Sequence, residues 1–134
     1  MKANELRLGN ILMYNSPISL TSQTVEVNIY HLSDILGHTP LSYSDRKNAY
    51  QAIPITEEWL IKFGFEGDDD ERHIVLGLGG GEELSIERLT KTCCLIRAIK
   101  NESVDFVYVA YPEYVHQLQN LYFSITGKEL EVKS

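Results

Sequence analysis

Along this chain apolar residues alternate with polar ones in several short runs and recur at helical spacing in two others. That mixture predicts an α+β fold. Leu6 and Leu8, then Ile11-Leu12-Met13-Tyr14, have strand character and are separated by Gly9-Asn10, a turn or bulge signal. Val25, Val27 and Ile29 alternate with Glu26 and Asn28, the period of a half-buried strand. His31 to Leu36 reads as a short helical turn closed by Gly37, and residues 38–51, polar and without period, as a long loop. Ile74, Leu76 and Leu78 alternate into Gly79-Gly80-Gly81, with Leu84 and Ile86 beyond, which reads as a hairpin. Thr92 to Ile99 and Val104 to Ala110 are two further strands. The second is apolar on both faces and is expected at the centre of a sheet, covered on both sides.

The two helical patterns carry their own start and stop signals. In Thr56–Phe63, Thr56 is the N-cap and Glu57 and Glu58 lie in the first turn, where the helix dipole favours acids. Gly64 supplies the left-handed exit. In Pro112–Thr126, Pro112 suits the first turn and Gly127 the end. Val115, Leu118, Tyr122 and Ile125 form a buried stripe, and Glu113, Gln117, Asn120 and Ser124 the wet face. Phe123 does not fit, lying roughly 140° from the stripe at about 100° per residue, beside His116 and Gln119. The expected architecture is one domain spanning residues 1–134, an antiparallel sheet of five or six strands, open or curled into a partial barrel, with two helices. Leu130 to Val132 would return as a short edge strand.

Composition narrows this little. A chain of 134 residues with 43% hydrophobic and 23% charged residues can bury its own core. The formal charge of −7 argues against direct nucleic-acid binding, which needs clustered Lys and Arg. Cys93 and Cys94 are adjacent, so along a strand they point to opposite faces and do not pair, which suits a reducing cytoplasm. Met1-Lys2-Ala3-Asn4-Glu5 leads into no apolar run, so neither a signal peptide nor a membrane span is expected.

Candidate chemistry is sparse. Gly77-Leu78-Gly79-Gly80-Gly81 lacks the Lys-Ser or Lys-Thr of a phosphate loop and is followed by Glu82-Glu83, so it reads as a hairpin tip. Asp68-Asp69-Asp70-Glu71 lacks the spacing of a calcium loop. His31, His38, His73 and His116 show no metal-ligand spacing with each other or with the cysteines. No catalytic residue, cofactor or metal is expected from these motifs. An aromatic among polar neighbours has the character of an interface anchor, so His116, Gln119 and Phe123 are the candidate interaction residues.

Three stretches together resemble a family of short proteins of Bacteroides-type bacteria and their phages and mobile elements. They are Glu5-Leu6-Arg7-Leu8-Gly9-Asn10; Pro54-Ile55-Thr56-Glu57-Glu58-Trp59-Leu60 through Phe63-Gly64-Phe65; and Tyr114-Val115-His116-Gln117-Leu118-Gln119-Asn120-Leu121-Tyr122-Phe123 through Thr126-Gly127-Lys128-Glu129-Leu130. The last is the specific block, and Ser124-Ile125 departs from the Ala-Leu usual there. The resemblance implies a bacterial or phage-encoded cytoplasmic protein and assigns no activity to any residue. The function expected is therefore a non-enzymatic interaction module that binds a protein partner or itself. The alternatives are a small ligand-binding domain or enzyme using His116 with the 38–51 loop as a lid, and an acidic nucleic-acid mimic.

Overall fold

The computed structural model describes residues 5–16, 21–35, 49–67, 72–87, 89–98 and 104–133. The elements form two compact units, Met1–Ile55 with Glu113–Glu129, and Thr56–Pro112 with Leu130–Ser134. The α+β class and a five-stranded antiparallel sheet are as expected, and a separate three-stranded sheet accompanies them.

The first unit holds β1 (Ile11–Asn15), β2 (Ser22–Glu26), α1 (Ile29–Ile35), β3 (Tyr50–Gln51) and the long helix α3 (Val115–Thr126), with strand order β2-β1-β3. β2 lies earlier than the alternation of Val25, Val27 and Ile29 suggested. Val27 stands just beyond the strand, its N–H donating to the Asn10 carbonyl at 2.7 Å, while Ile29 opens α1. Leu6 and Leu8 are not in a strand. Leu6 packs beside the core of Leu12, Val27 and Tyr50, and Leu8 is exposed. Of the predicted loop, Ala49, Tyr50 and Gln51 are described: Ala49 and Tyr50 are buried and Tyr50–Gln51 is β3. Leu36, Gly37 and the rest of that loop lie outside the described residues, as do Asp68 to Glu71.

The second unit is α2 (Glu57–Lys62) and a meander of β4 (Glu66–Gly67), β5 (His73–Gly79), β6 (Glu82–Glu87), β7 (Thr92–Ala98) and β8 (Val104–Val109). The signals of α2 hold. Thr56 Oγ1 accepts from the Trp59 N–H at 3.3 Å, and the Phe65 N–H reaches back to the Leu60 carbonyl at 3.0 Å across Gly64. Gly64 sits at φ +96, where a Cβ is strained and would stand 3.1 Å from the Lys133 side chain. Gly64→Ala is expected to cost about 1 kcal/mol in urea denaturation, with the helix retained. The glycine run is a hairpin tip, with Gly79 paired to Glu82 across Gly80 and Gly81, both at positive φ.

Alternation places Ile74 and Leu76, Leu84 and Ile86, and Cys93 and Leu95 on the buried face of this sheet. Cys93 and Cys94 are both free thiols, and burial pushes Cys93 up to about 11. Two expectations fail here. Leu130 to Val132 form no strand; Leu130 is buried and the Lys133 N–H caps the Lys62 carbonyl at 2.7 Å. And among the described residues β8 is an edge strand rather than a central one, with Val104, Phe106, Val107 and Tyr108 exposed.

Candidate functional site

The start of α3 is built by backbone pairing. Ile53 accepts from the Val115 N–H at 2.8 Å, the Ile55 N–H donates to the Glu113 carbonyl at 3.0 Å, and Pro54 bridges Tyr114. The helix therefore begins at Tyr114 as N-cap rather than at Pro112. Gln117, at the third helical position, turns its Oε1 back to the free N–H groups of Glu113 and Tyr114, at 2.9 and 3.2 Å. Val115, His116, Leu118 and Gln119 are the buried residues of the helix, while Tyr122 is only half-buried.

Two of the three candidate interaction residues are thereby taken off the surface. His116 is 1% exposed and Gln119 is 2% exposed, while Phe123 remains 38% exposed. The correction has a physical cause: the surface facing this side of the helix is backbone, not hydrocarbon. Gln119 Oε1 accepts the Ile11 N–H at 2.8 Å and an Asn10 amide hydrogen at 3.4 Å, and its Nε2 donates to the Gly9 carbonyl at 3.1 Å. Asn10 and Asn120 extend the lattice. Asn10 Nδ2 donates to Asn120 Oδ1 at 2.9 Å, and Asn120 Nδ2 donates to the Glu5 carbonyl at 2.7 Å. Asn120, read from the pattern as wet, is half-buried in this network.

Arg7 closes the lattice on its outer side. It donates through Nε to Asn120 Oδ1 at 2.8 Å, pairs with Glu129 at 2.8 Å, and lays its guanidinium 4.2 Å from the centre of the Phe123 ring. Phe123 is thus half of a cation–π contact. Arg7, Asn10 and Glu129 carried no local signal for these roles, because each meets a partner more than 100 residues away in sequence or, for Glu129, across the same gap to Arg7.

His116 is different from its neighbours, since neither of its ring nitrogens has a hydrogen-bond partner among the described residues. The Glu5 carboxylate lies close by, with Nε2 to Oε2 at 3.7 Å. Burial holds the imidazole below its usual pKa, and Glu5 offsets part of that shift. The Tyr114 ring stacks beside it, centroids 6.0 Å apart and planes 16° from parallel. Around this group lies a cavity of about 460 Å³ lined by Glu5, Tyr50, Gln51, Tyr114, His116 and Gln117.

The other histidines do simpler things. His31 Nδ1 sits 3.2 Å from the Asn28 N–H, and its ring packs on Tyr50 at 5.6 Å. His73 lies 3.9 Å from Glu87 at the end of the five-stranded sheet. His38 lies outside the described residues. Among the described residues no three His, Cys, Asp or Glu side chains gather as a metal site.

The open face of the five-stranded sheet forms a second concavity of about 440 Å³, whose walls include Val75, Ser85, Cys94, Ile96, Phe106 and Tyr108. The register sets Cys94 between Ser85 and Tyr108, and Ile96 beside Phe106, so this face runs out to the β8 edge. Among the described residues no helix is long and apolar enough to cross a membrane. No family model matches the chain, and neither a curated protein nor a solved structure matches it.

Proposed function

We propose that this protein is a non-enzymatic interaction module, working in the cytoplasm of a Bacteroides-type bacterium or for one of its phages or mobile elements, and that its binding edge is β8. The observation that carries this reading is the mismatch between the strand's sequence and its place. Val104-Asp105-Phe106-Val107-Tyr108-Val109 has the two-sided apolar composition of a central strand, yet it lies at the sheet edge. Phe106 is 56% exposed and Tyr108 is 78% exposed. Edge strands are ordinarily blunted by charged side chains, Pro or a bulge, and β8 has neither Pro nor bulge and a single charge, Asp105. A strand added along β8 makes it the central strand its sequence describes.

The partner that fits is β8 of a second copy. Pairing Val107 with Val107 of the second copy, antiparallel, sets Phe106 opposite Tyr108 on the open face. Asp105 then faces Val109, so no like charges meet. The mimic reading is less well supported, because acids are matched by bases within the chain: Glu82 with Arg97 at 3.1 Å, Glu87 with Arg72 at 3.1 Å, and Glu58 with Lys62 at 3.3 Å.

Light scattering across a concentration series tests the proposal. Wild type is expected to become dimeric by about 100 µM, the range of a small interface. Val107→Lys is expected to stay monomeric with an unchanged circular dichroism spectrum. A wild type that is monomeric throughout, or a dimer that Val107→Lys leaves intact, overturns it.

A further inference from the structure

We propose that the cavity at His116 is a binding site for a small organic cation bearing N–H donors, a primary ammonium or amidinium, held between the His116 ring and the Glu5 carboxylate. This site does not rest on the β8 reading. Its first support is the contrast along one helix. Gln119 and Asn120 have their side-chain groups engaged, whereas His116, 1% exposed, has two ring nitrogens with no partner among the described residues. Buried polar groups in folded proteins are almost always satisfied, so an unsatisfied imidazole on a cavity wall points to a ligand.

Distance and charge then select the ligand class. Nε2 and Glu5 Oε2 are 3.7 Å apart, too far to bond each other directly. One nitrogen donating hydrogen bonds of about 2.9 Å to each reaches both. Glu5 repels an anion, and a wholly apolar ligand leaves the imidazole nitrogens unpaired. A metal ion lacks a third ligand, since no cluster of three ligating side chains exists among the described residues. The walls agree with a cation as well. Tyr50 and Tyr114 line the cavity, and aromatic faces attract an ammonium or amidinium group. The volume, about 460 Å³, is that of a small-molecule pocket. Glu5, its side chain 41% exposed, stands on the solvent side, with His116 on the floor.

The experiment is a titration of histidine-labelled protein at pH 8, read by the ring nitrogen signals of His116. Benzylamine and benzamidine are the probes, with benzoate and benzyl alcohol as controls of matching shape. At least one cation is expected to shift the His116 signals along a saturating curve while both controls leave them in place. Glu5→Gln is expected to weaken that binding at least tenfold with the amide spectrum of the fold unchanged. The proposal is overturned if neither cation moves His116, if benzyl alcohol or benzoate moves it as much, or if Glu5→Gln binds as wild type does. Should Glu5→Gln fail to fold, the comparison of the cations with benzyl alcohol on wild type decides alone.

Discussion

Gln119→Ala is expected to cost about 3–4 kcal/mol, the largest effect of any polar substitution in α3. The side chain serves three buried groups at once: the Ile11 N–H, the Asn10 amide and the Gly9 carbonyl. Truncation leaves these facing a void at the start of β1, and each buried group stripped of its partner costs about 1–3 kcal/mol. The 3.4 Å contact to Asn10 is the weakest of the three, and Asn10 keeps Asn120 as a second acceptor, so the sum falls below three full penalties. Gln119→Glu tests the same geometry differently. A carboxylate still accepts from Ile11 but meets the Gly9 carbonyl with a second acceptor, and is expected to be at least as damaging as alanine at neutral pH. Urea unfolding of the three proteins is the measurement. Gln117→Ala is the control: its amide caps helix N–H groups near the surface, and its loss is expected to cost about 1 kcal/mol. Equal losses at 117 and 119 would show that the lattice is not what holds α3 to the Gly9–Ile11 backbone.

The same lattice explains which parts of the fold were legible in the sequence. The ends of α2 were readable because Thr56 and Gly64 act on their own turn of helix. The hairpin at Gly80 and Gly81 was readable for the same reason. The burial of Gln119 was not, because an amphipathic pattern counts every amide as wet and has no way to see the Gly9–Ile11 backbone waiting opposite it. Helical spacing set Phe123 apart, with His116 and Gln119 beside it; it could not say that those two are buried and that Phe123 lies against Arg7. Nor did anything local mark Glu5, Tyr50 and Tyr114 as the company of His116.

The resemblance blocks gain a physical meaning in this light. The stretch Glu5 to Asn10 and the stretch Tyr114 to Glu129 were noted apart, and in the structure they are the two sides of one hydrogen-bonded contact. Arg7, Asn10, Gln119, Asn120 and Glu129 in these stretches hold the first unit together. Such a role is a poor guide to chemistry. β8 failed as a prediction for a different reason. Composition reports how much apolar surface a strand carries on each face, not where in the sheet the strand lies.

His116→Leu is expected to make the protein more stable, by about 1–2 kcal/mol at pH 8. Wild type keeps two polar ring nitrogens buried without partners, and a leucine of similar bulk removes that penalty while retaining contact with Tyr114. The gain should grow as the pH falls. Burial holds the folded-state pKa of His116 below the usual histidine value, so the unfolded chain takes up its proton first. The stability that the neutral imidazole contributes is complete above that usual value and is lost as the pH falls toward the folded-state pKa. Glu5 pulls the other way and limits the loss without reversing it, while the positive charge of the amino terminus adds to it. Urea midpoints of wild type and His116→Leu at pH 8, 6.5 and 5 check both parts: the variant should lead at every pH, and by the widest margin at pH 5. A variant less stable than wild type would mean that the imidazole is satisfied after all, and that the residue belongs to the core. If the gain is found, His116 costs the fold stability, which is the behaviour expected of a residue kept for what it binds.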